Sequence, residues 1–353
     1  MAFKISISLN EEIWRSFIKY QTSGNIFHTP EMFEVFRRAH GHLPQLFAAL
    51  NDDGQLLALL TPVQVTLHNG ILRRLMTRSI AYGGALYEHN ENGKVALGDL
   101  LRECTRKTKS QVLFTELRNL SDMNTIKDTL SDCGYVYEEH LNYLIDISIS
   151  PEQVMQNIGS RTRKNIRHGL RKGNVVIEQI RRLSQLDDWY ELVKKSYTAV
   201  RVPLADISLF QAAYEILSPK GMARFYLARI GSAYVAATAE LPYKDVIYGW
   251  YSGVDRNYAS EYPGELLMWE ILRWGSENGY KVYDFGGAGK PDEKSGVRDF
   301  KAKFGGQLVC YGRNTKIHSP QLIKVSKLGY KVYRKLMLGN SGINNSKPEN
   351  EIF

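Results

Sequence analysis

Residues 279–307 read GYKVYDFGGAGKPDEKSGVRDFKAKFGGQ. From Lys281 to Phe285, aromatic and β-branched residues alternate with polar ones, the pattern of a half-buried strand. Gly286, Gly287 and Gly289 then release the backbone, so a loop opens at the strand end. Between Val297 and Phe304, Arg298 and Lys301 stand three positions apart and Phe300 and Phe304 four apart, so one short helix can present cations beside rings. Gly305 and Gly306 close the run. Strand, glycine loop, basic helix and glycine corner without a gap make a site. The pair Gly289-Lys290 invites a phosphate-loop reading, which fails: such a loop needs glycine where Asp284 stands and Ser or Thr where Pro291 stands.

Upstream, the periodicity predicts a helix from Pro263 to Asn278 that stops at Gly279 and feeds this strand. Before it, strands at Ala223–Arg229 and Ala233–Leu241 flank a turn at Gly231 and Ser232, and a third strand spans Val246–Val254. The first half of the chain repeats this order. Strands at Leu43–Leu50 and Gln55–Val65 flank Asp52, Asp53 and Gly54, and a helix from Val95 to Lys109 feeds a strand at Val112–Leu117. The reading is an α/β (α+β) chain of two tandem units, each a mixed sheet flanked by helices. Its expected divisions are residues 1–147, residues 148–316 with the motif residues, a C-terminal amphipathic helix at 317–338 that packs back, and a disordered tail at 339–353.

The 353 residues carry a formal charge of +9, which points to an acidic partner such as nucleic acid, a nucleotide-linked substrate or an anionic membrane surface, or to a basic soluble enzyme. Cys104, Cys133 and Cys310 are too scattered for a disulfide framework or a zinc site, and the histidines form no ligand pattern, so no metal is expected. The N-terminal stretch lacks a long apolar run and carries early carboxylates. That argues against a signal peptide or integral membrane segment and makes the cytoplasm the expected compartment.

Between the units lies SRTRKNIRHGLRK, residues 160–172, with Arg161, Arg163, Lys164, Arg167, Arg171 and Lys172 and no carboxylate. As a helix it has a narrow apolar stripe at Ile166 and Leu170 and cations over the rest, a surface for phosphates or a plain solvated face. The segment from Ser319 to Leu338 is amphipathic and lysine-rich; it docks on a domain or makes a peripheral contact with anionic lipid.

The combination Tyr283-Asp284-Phe285-Gly286-Gly287, a loop, then Phe300-Lys301-Ala302-Lys303-Phe304-Gly305-Gly306 resembles the FemAB-type acyltransferases and related polysaccharide-associated N-acetyltransferases, which have GNAT folds. The basic run followed by Gly173-Asn174-Val175 is similar to the segment that opens the second GNAT unit there. The pattern covers residues 150–312; the first unit resembles the family only in element order. The resemblance implies two GNAT-like units and an enzyme that forms an amide between an activated acyl group and an amine on a cell-envelope peptide or sugar precursor. The acyl donor, aminoacyl-tRNA or acyl-CoA, is a co-substrate, and no bound cofactor is implied. The acceptor is nucleotide- or lipid-linked, in peptidoglycan or other polysaccharide biosynthesis. A CoA-binding GNAT opens its central helix with Arg/Gln-x-x-Gly-x-Gly/Ala; here Ala259 replaces the basic residue, Tyr262 the first glycine, and Gly264 remains, with Glu265 adding negative charge.

Aminolysis needs a neutral amine, an aligned electrophile and a donor for the developing oxyanion. Lys301 is the expected cation at the acyl or leaving oxygen, positioned by Phe300 and Phe304, and Asp284 is expected to orient the amine or to cap the next turn. Arg161, Arg163, Lys164, Arg167, Tyr251, Gly264, Gly286, Gly287 and Arg298 complete the expected substrate-binding set, with Asp255 a weaker candidate. No Ser-His-Asp constellation is legible, so no acyl-enzyme is indicated. Two other readings stay open: an acetyl-CoA-dependent amino-sugar N-acetyltransferase, and a non-catalytic tRNA-binding module whose affinity would fall steeply with salt.

Overall fold

The computed structural model describes residues 3–66, 73–200 and 202–325. The described residues form two compact units, residues 3–138 with 311–325 and residues 139–310.

In the first unit a six-stranded sheet runs in the order His42–Pro44, Val63–Thr66, Thr77–Gly83, Phe114–Asn119, Arg313–Ile317, Val136–Glu138. A four-stranded sheet holds Lys4–Ser6, Phe47–Leu50, Leu56–Leu60 and Leu86–Tyr87. The expected strand over 55–65 is thus two strands in different sheets, broken at Pro62, whose missing N–H interrupts a ladder. The helix Glu91–Thr108 is capped by Asn90, which accepts from Gly93 N at 2.9 Å, and buries Ala96, Leu97, Leu100, Leu101 and Cys104. It is the crossover between the parallel strands Thr77–Gly83 and Phe114–Asn119.

The second unit is built on a seven-stranded sheet in the order Val175–Gln179, Arg224–Ile230, Ala233–Tyr243, Val246–Val254, Val282–Gly287, Leu141–Asp146, Gln307–Cys310. All its pairings are antiparallel except Val246–Val254 with Val282–Gly287. The helix Pro263–Glu277 is the crossover between those two strands, so the expected order of meander, helix and strand occurs in both units. Its apolar face, with Leu266, Leu267, Ile271 and Leu272, packs in one core with Ile166, Ile247, Tyr283, Phe285 and Phe304.

The units divide at 138/139 and 310/311 rather than at 147/148 and 316/317. The reason is an exchange of strands. Leu141–Asp146 pairs with Val282–Gly287 and Gln307–Cys310 in the second unit's sheet, while Arg313–Ile317 pairs with Phe114–Asn119 and Val136–Glu138 in the first. Of the C-terminal helix expected at 317–338, residues 320–325 are helical; the rest, and the tail at 339–353, lie outside the described residues. Among the described residues no helix is long and apolar enough to cross a membrane.

Candidate active site

The parallel strands Val246–Val254 and Val282–Gly287 pair only at Val246↔Val282, Ile247↔Tyr283 and Tyr248↔Asp284, and beyond that point they part. On the other side of Val246–Val254 the ladder to Ala233–Tyr243 slips: Ala239 faces Tyr251 and Glu240 faces Gly249, leaving Trp250 as an extra residue. Such a bulge bends its strand and sharpens its twist, which turns Val246–Val254 away from its parallel neighbour. Where the two strands diverge, their facing backbone groups lose the ladder that joined them.

At the mouth of this wedge is the glycine turn. Gly286 has φ +69°, and the Tyr248 hydroxyl lies 2.9 Å from where a Cβ would stand, so both the backbone and the space demand glycine. Gly287 is pressed the same way by the His140 ring. Asp284 is buried; its Oδ1 accepts from Gly286 N at 2.7 Å and from Asn142 Nδ2 at 3.3 Å. Burial raises its carboxyl to about 6, against the lowering effects of the Gly286 N–H, the Lys301 charge and Asn142. The turn-capping role weighed for this aspartate is therefore present in the geometry.

Lys301 points inward from the helix Gly296–Ala302 and is 9% exposed. Its Nζ donates to the carbonyls of Phe285 at 2.6 Å, Gly286 at 3.2 Å and Gly287 at 2.7 Å. An ammonium has three N–H bonds, and three carbonyls accept them. In this conformation Lys301 holds the glycine turn rather than presenting a donor to an acyl oxygen, which revises the role expected for it. Arg298 does likewise for the following loop, donating to the carbonyls of Lys290 at 2.6 Å, Pro291 at 3.1 Å and Glu293, so its guanidinium serves the loop rather than a substrate. Phe304 is fully buried and packs on Phe285 and Phe300 at 5.8 and 5.2 Å between centroids; it is a core residue, whereas Phe300 is half-buried beside Gly264. Tyr251 sits against Phe210 and Tyr197, and Asp255 pairs with Lys195 at 2.7 Å, which holds its carboxyl below the usual range.

The basic run forms the helix Ser160–Lys172, closed by Gly173 in the left-handed region at φ +67°. It docks on the helix Pro263–Glu277 through Gly169, where a Cβ would come within 2.7 Å of Leu266 Cδ1. That docking turns Arg161, Lys164, Arg167 and Arg171 to solvent, while Arg163 is half-buried and donates to Gln156 O at 2.6 Å. A shallow concavity of about 570 Å³ runs along Arg163, Lys164, Arg167 and Arg171. A second, of about 510 Å³, lies where this helix and Pro263–Glu277 both begin, between Ser160, Arg161, Tyr262, Glu265 and Lys303. Neither helix start has a side-chain cap, so both present unpaired N–H groups to an anion. Neither concavity includes Lys301 or Asp284; the cationic surface and the glycine turn are separate parts of the unit.

Sequence reasoning missed Glu240. It is 1% exposed in the middle of the sheet, and burial pushes its carboxyl up to about 8 despite the Thr238 and Tyr283 hydroxyls beside it. Oε1 lies 2.6 Å from Thr238 Oγ1; among the described residues Oε2 has no hydrogen-bond partner, and the Tyr283 hydroxyl stands beside the carboxyl. The signal was available: Ala233–Tyr243 reads AYVAATAELPY, and an acid inside so apolar a strand carries a large desolvation cost. Among the described residues no group of three or more His, Cys, Asp or Glu is placed to hold a metal ion.

A seven-stranded sheet with one parallel pair, parting beside a bulge and joined by a crossover helix, is the arrangement of a GNAT-like fold. Residues 159–301 match the family profile of the acetyltransferase (GNAT) domain, which supports an acyltransferase. No curated protein matches the sequence. Among solved structures the chain is similar to FemX, with 14% identity, 94% of this chain and 99% of that one covered, and a TM-score of 0.68. It is also similar to L-PGS from Bacillus licheniformis, at 14% identity, 92% and 96% coverage and a TM-score of 0.57. A tandem GNAT protein from the clavulanic acid biosynthesis pathway matches at 11% identity, 91% and 100% coverage and a TM-score of 0.58. These likenesses are of fold, and they extend over both units. The enzyme takes its acyl group from a co-substrate donor.

Proposed function

We infer that the enzyme transfers an aminoacyl group from aminoacyl-tRNA to an amine on a nucleotide- or lipid-linked cell-envelope precursor. In this step the amine nitrogen attacks the ester carbonyl, the new C–N bond forms as the C–O bond to the tRNA ribose breaks, and the amine's proton passes to the departing oxygen. The observation that carries the reading is the row of exposed cations Arg161, Lys164, Arg167 and Arg171 along one helix of the catalytic domain. A row of charges on a helix suits a repeating phosphate backbone, whereas a single pyrophosphate needs one compact cradle. At the start of Pro263–Glu277 that cradle is poor: Pro263 brings no N–H, and Glu265 sets a carboxylate against an incoming anion. The envelope acceptor rests on the resemblance to FemAB-type enzymes, with FemX and L-PGS as structural neighbours.

In this reading the wedge past Tyr248 and Asp284 takes the reacting groups. Lys301 and Asp284 keep the glycine turn at its mouth in place, Lys301 through three carbonyls and Asp284 through Gly286 N. A second reading, acetyl transfer from acetyl-CoA to an amino sugar, is favoured by the acetyltransferase description of the matching family. The purified protein, offered an amine acceptor with either radiolabelled aminoacyl-tRNA or acetyl-CoA, decides between them. Envelope precursors of a deletion strain lacking one aminoacyl residue would support the first reading. Turnover with acetyl-CoA and none with charged tRNA would sink it.

A further inference from the structure

We propose that Glu240 is a positioning residue for acyl transfer: acting through Thr238, it fixes the bulge at Trp250 and so the angle at which the two parallel strands part. The inference rests on the reading of the wedge as the reaction site. Thr238 Oγ1 lies 2.6 Å from Glu240 Oε1 and 3.1 Å from the carbonyl oxygen of Tyr251, the residue just past the bulge. A hydroxyl has one proton and cannot donate to both. The carbonyl can only accept. The arrangement is satisfied when Glu240 is a neutral acid whose proton goes to Thr238 Oγ1, while Thr238 donates to Tyr251 O. One chain of two hydrogen bonds then ties the middle of the sheet to the bulged strand.

The surroundings favour the neutral acid. The carboxyl is enclosed, and among the described residues Oε2 has no hydrogen-bond partner and no cation is aimed at it. Arg224 stands opposite Glu240 in the ladder, but its guanidinium is turned to the Tyr226 hydroxyl at 2.7 Å, to Gln179 at 2.7 Å and to the Trp274 ring at 3.8 Å. Tyr283 and Tyr226 are the titratable groups that feel Glu240, and both phenols are raised by burial; from the crossover helix, Glu270 acts on Tyr226. On the opposite side Trp189 Nε1 donates to Thr238 O at 3.0 Å and steadies that residue's backbone. Gly249, facing Glu240, leaves the room that the Tyr283 hydroxyl occupies, 2.5 Å from where a Cβ would stand. Ionisation would draw the Thr238 proton to Glu240 and release the Tyr251 carbonyl from Thr238.

Glu240→Gln tests this, because an amide N–H can donate to Thr238 at every pH. Two readouts are compared across pH 6 to 9.5: kcat for acyl transfer, and amide-exchange protection factors of residues 249–252, which need no substrate. Wild type should lose about tenfold in kcat relative to Glu240→Gln by one pH unit above the Glu240 titration, and protection at 249–252 should fall over the same range, with Gln flat in both. Glu240→Leu, which cannot donate, should lower kcat with KM held and lose protection already at pH 7. Equal alkaline limbs and equal protection in wild type and Gln would overturn the proposal. If Leu does not fold, the comparison of wild type with Gln still decides. If the protection pattern holds while transfer is insensitive, Glu240 fixes the bulge but the wedge is not the reaction site, so the functional reading fails and the structural link stands.

Discussion

Replacing Lys301 by Met keeps the apolar stem and removes the ammonium, and the structure sets what that costs. Three carbonyls, of Phe285, Gly286 and Gly287, lose their donor, and two of the three bonds are buried. An acceptor left unsatisfied in the interior costs about 1–3 kcal/mol. The more exposed Gly287 carbonyl can turn to water, so the total for the two buried carbonyls is roughly 2–6 kcal/mol. In a unit of this size each kcal/mol is worth about 2–4 °C, which puts the expected fall in Tm at roughly 4–24 °C. Differential scanning calorimetry alongside kcat measured well below the transition separates the two roles open to this lysine. A large fall in Tm with lost activity means the ammonium builds the glycine turn. A Tm within about 2 °C of wild type with kcat down a hundredfold or more would refute the reasoning. It would mean that the ammonium leaves the carbonyls to meet the acyl oxygen, as the sequence pattern alone suggests.

Other consequences can be checked directly. Asp284 is an acid whose folded value, about 6, lies above its ordinary 3.8, so the folded chain binds the extra proton between those values and stability falls as pH rises through that window, by about 3 kcal/mol in all. Asp284→Asn should abolish that slope in urea titrations at pH 4 to 7, and an unchanged slope would exclude Asp284 as its source. Reversing Arg161, Lys164 and Arg167 to Glu should leave Tm unchanged, because these side chains are exposed, while raising the donor's KM and flattening its salt dependence; an unaltered salt slope would remove the helix from donor binding. A fragment of residues 139–310 should unfold cooperatively, whereas 148–316, which lacks Leu141–Asp146, should not; cooperative unfolding of the shorter piece would contradict the strand exchange.

Local signals carried much of the fold. Pro263 at a helix start, Gly279 at φ +79° just past its end and the alternation from Lys281 to Phe285 together define the crossover, and Gly54 and Gly231 mark the hairpin turns. What stayed hidden depends on partners far away in sequence. Leu141–Asp146 and Arg313–Ile317 are short strands with no distinguishing composition, and each pairs with segments more than a hundred residues away, so nothing local reports which sheet takes them. Lys301 could be read from the sequence as a candidate, but the direction of its side chain could not. The spacing with Phe300 and Phe304 fits a helix showing its cation to solvent, and only the packing of Phe304 into the core turns Lys301 onto the glycine carbonyls.

The exchanged strand bears on the site itself. Asn142 stands on Leu141–Asp146, far from Asp284 in the sequence, yet its amide reaches Asp284, the residue where the parallel pair ends, at 3.3 Å. Without that strand, Val282–Gly287 would be an edge, open to pairing with any extended segment and free to bend. With it, the glycine turn is held on one side by Leu141–Asp146, from above by Lys301 and from within by Asp284, while the other side is left open to Tyr248 and the bulge. The site is rigid on three counts and divergent on one. That asymmetry lets a sheet ladder end abruptly inside a well-packed domain, and it explains why the residues that create the opening, Lys301, Asp284 and Glu240, are buried polar groups rather than exposed ones.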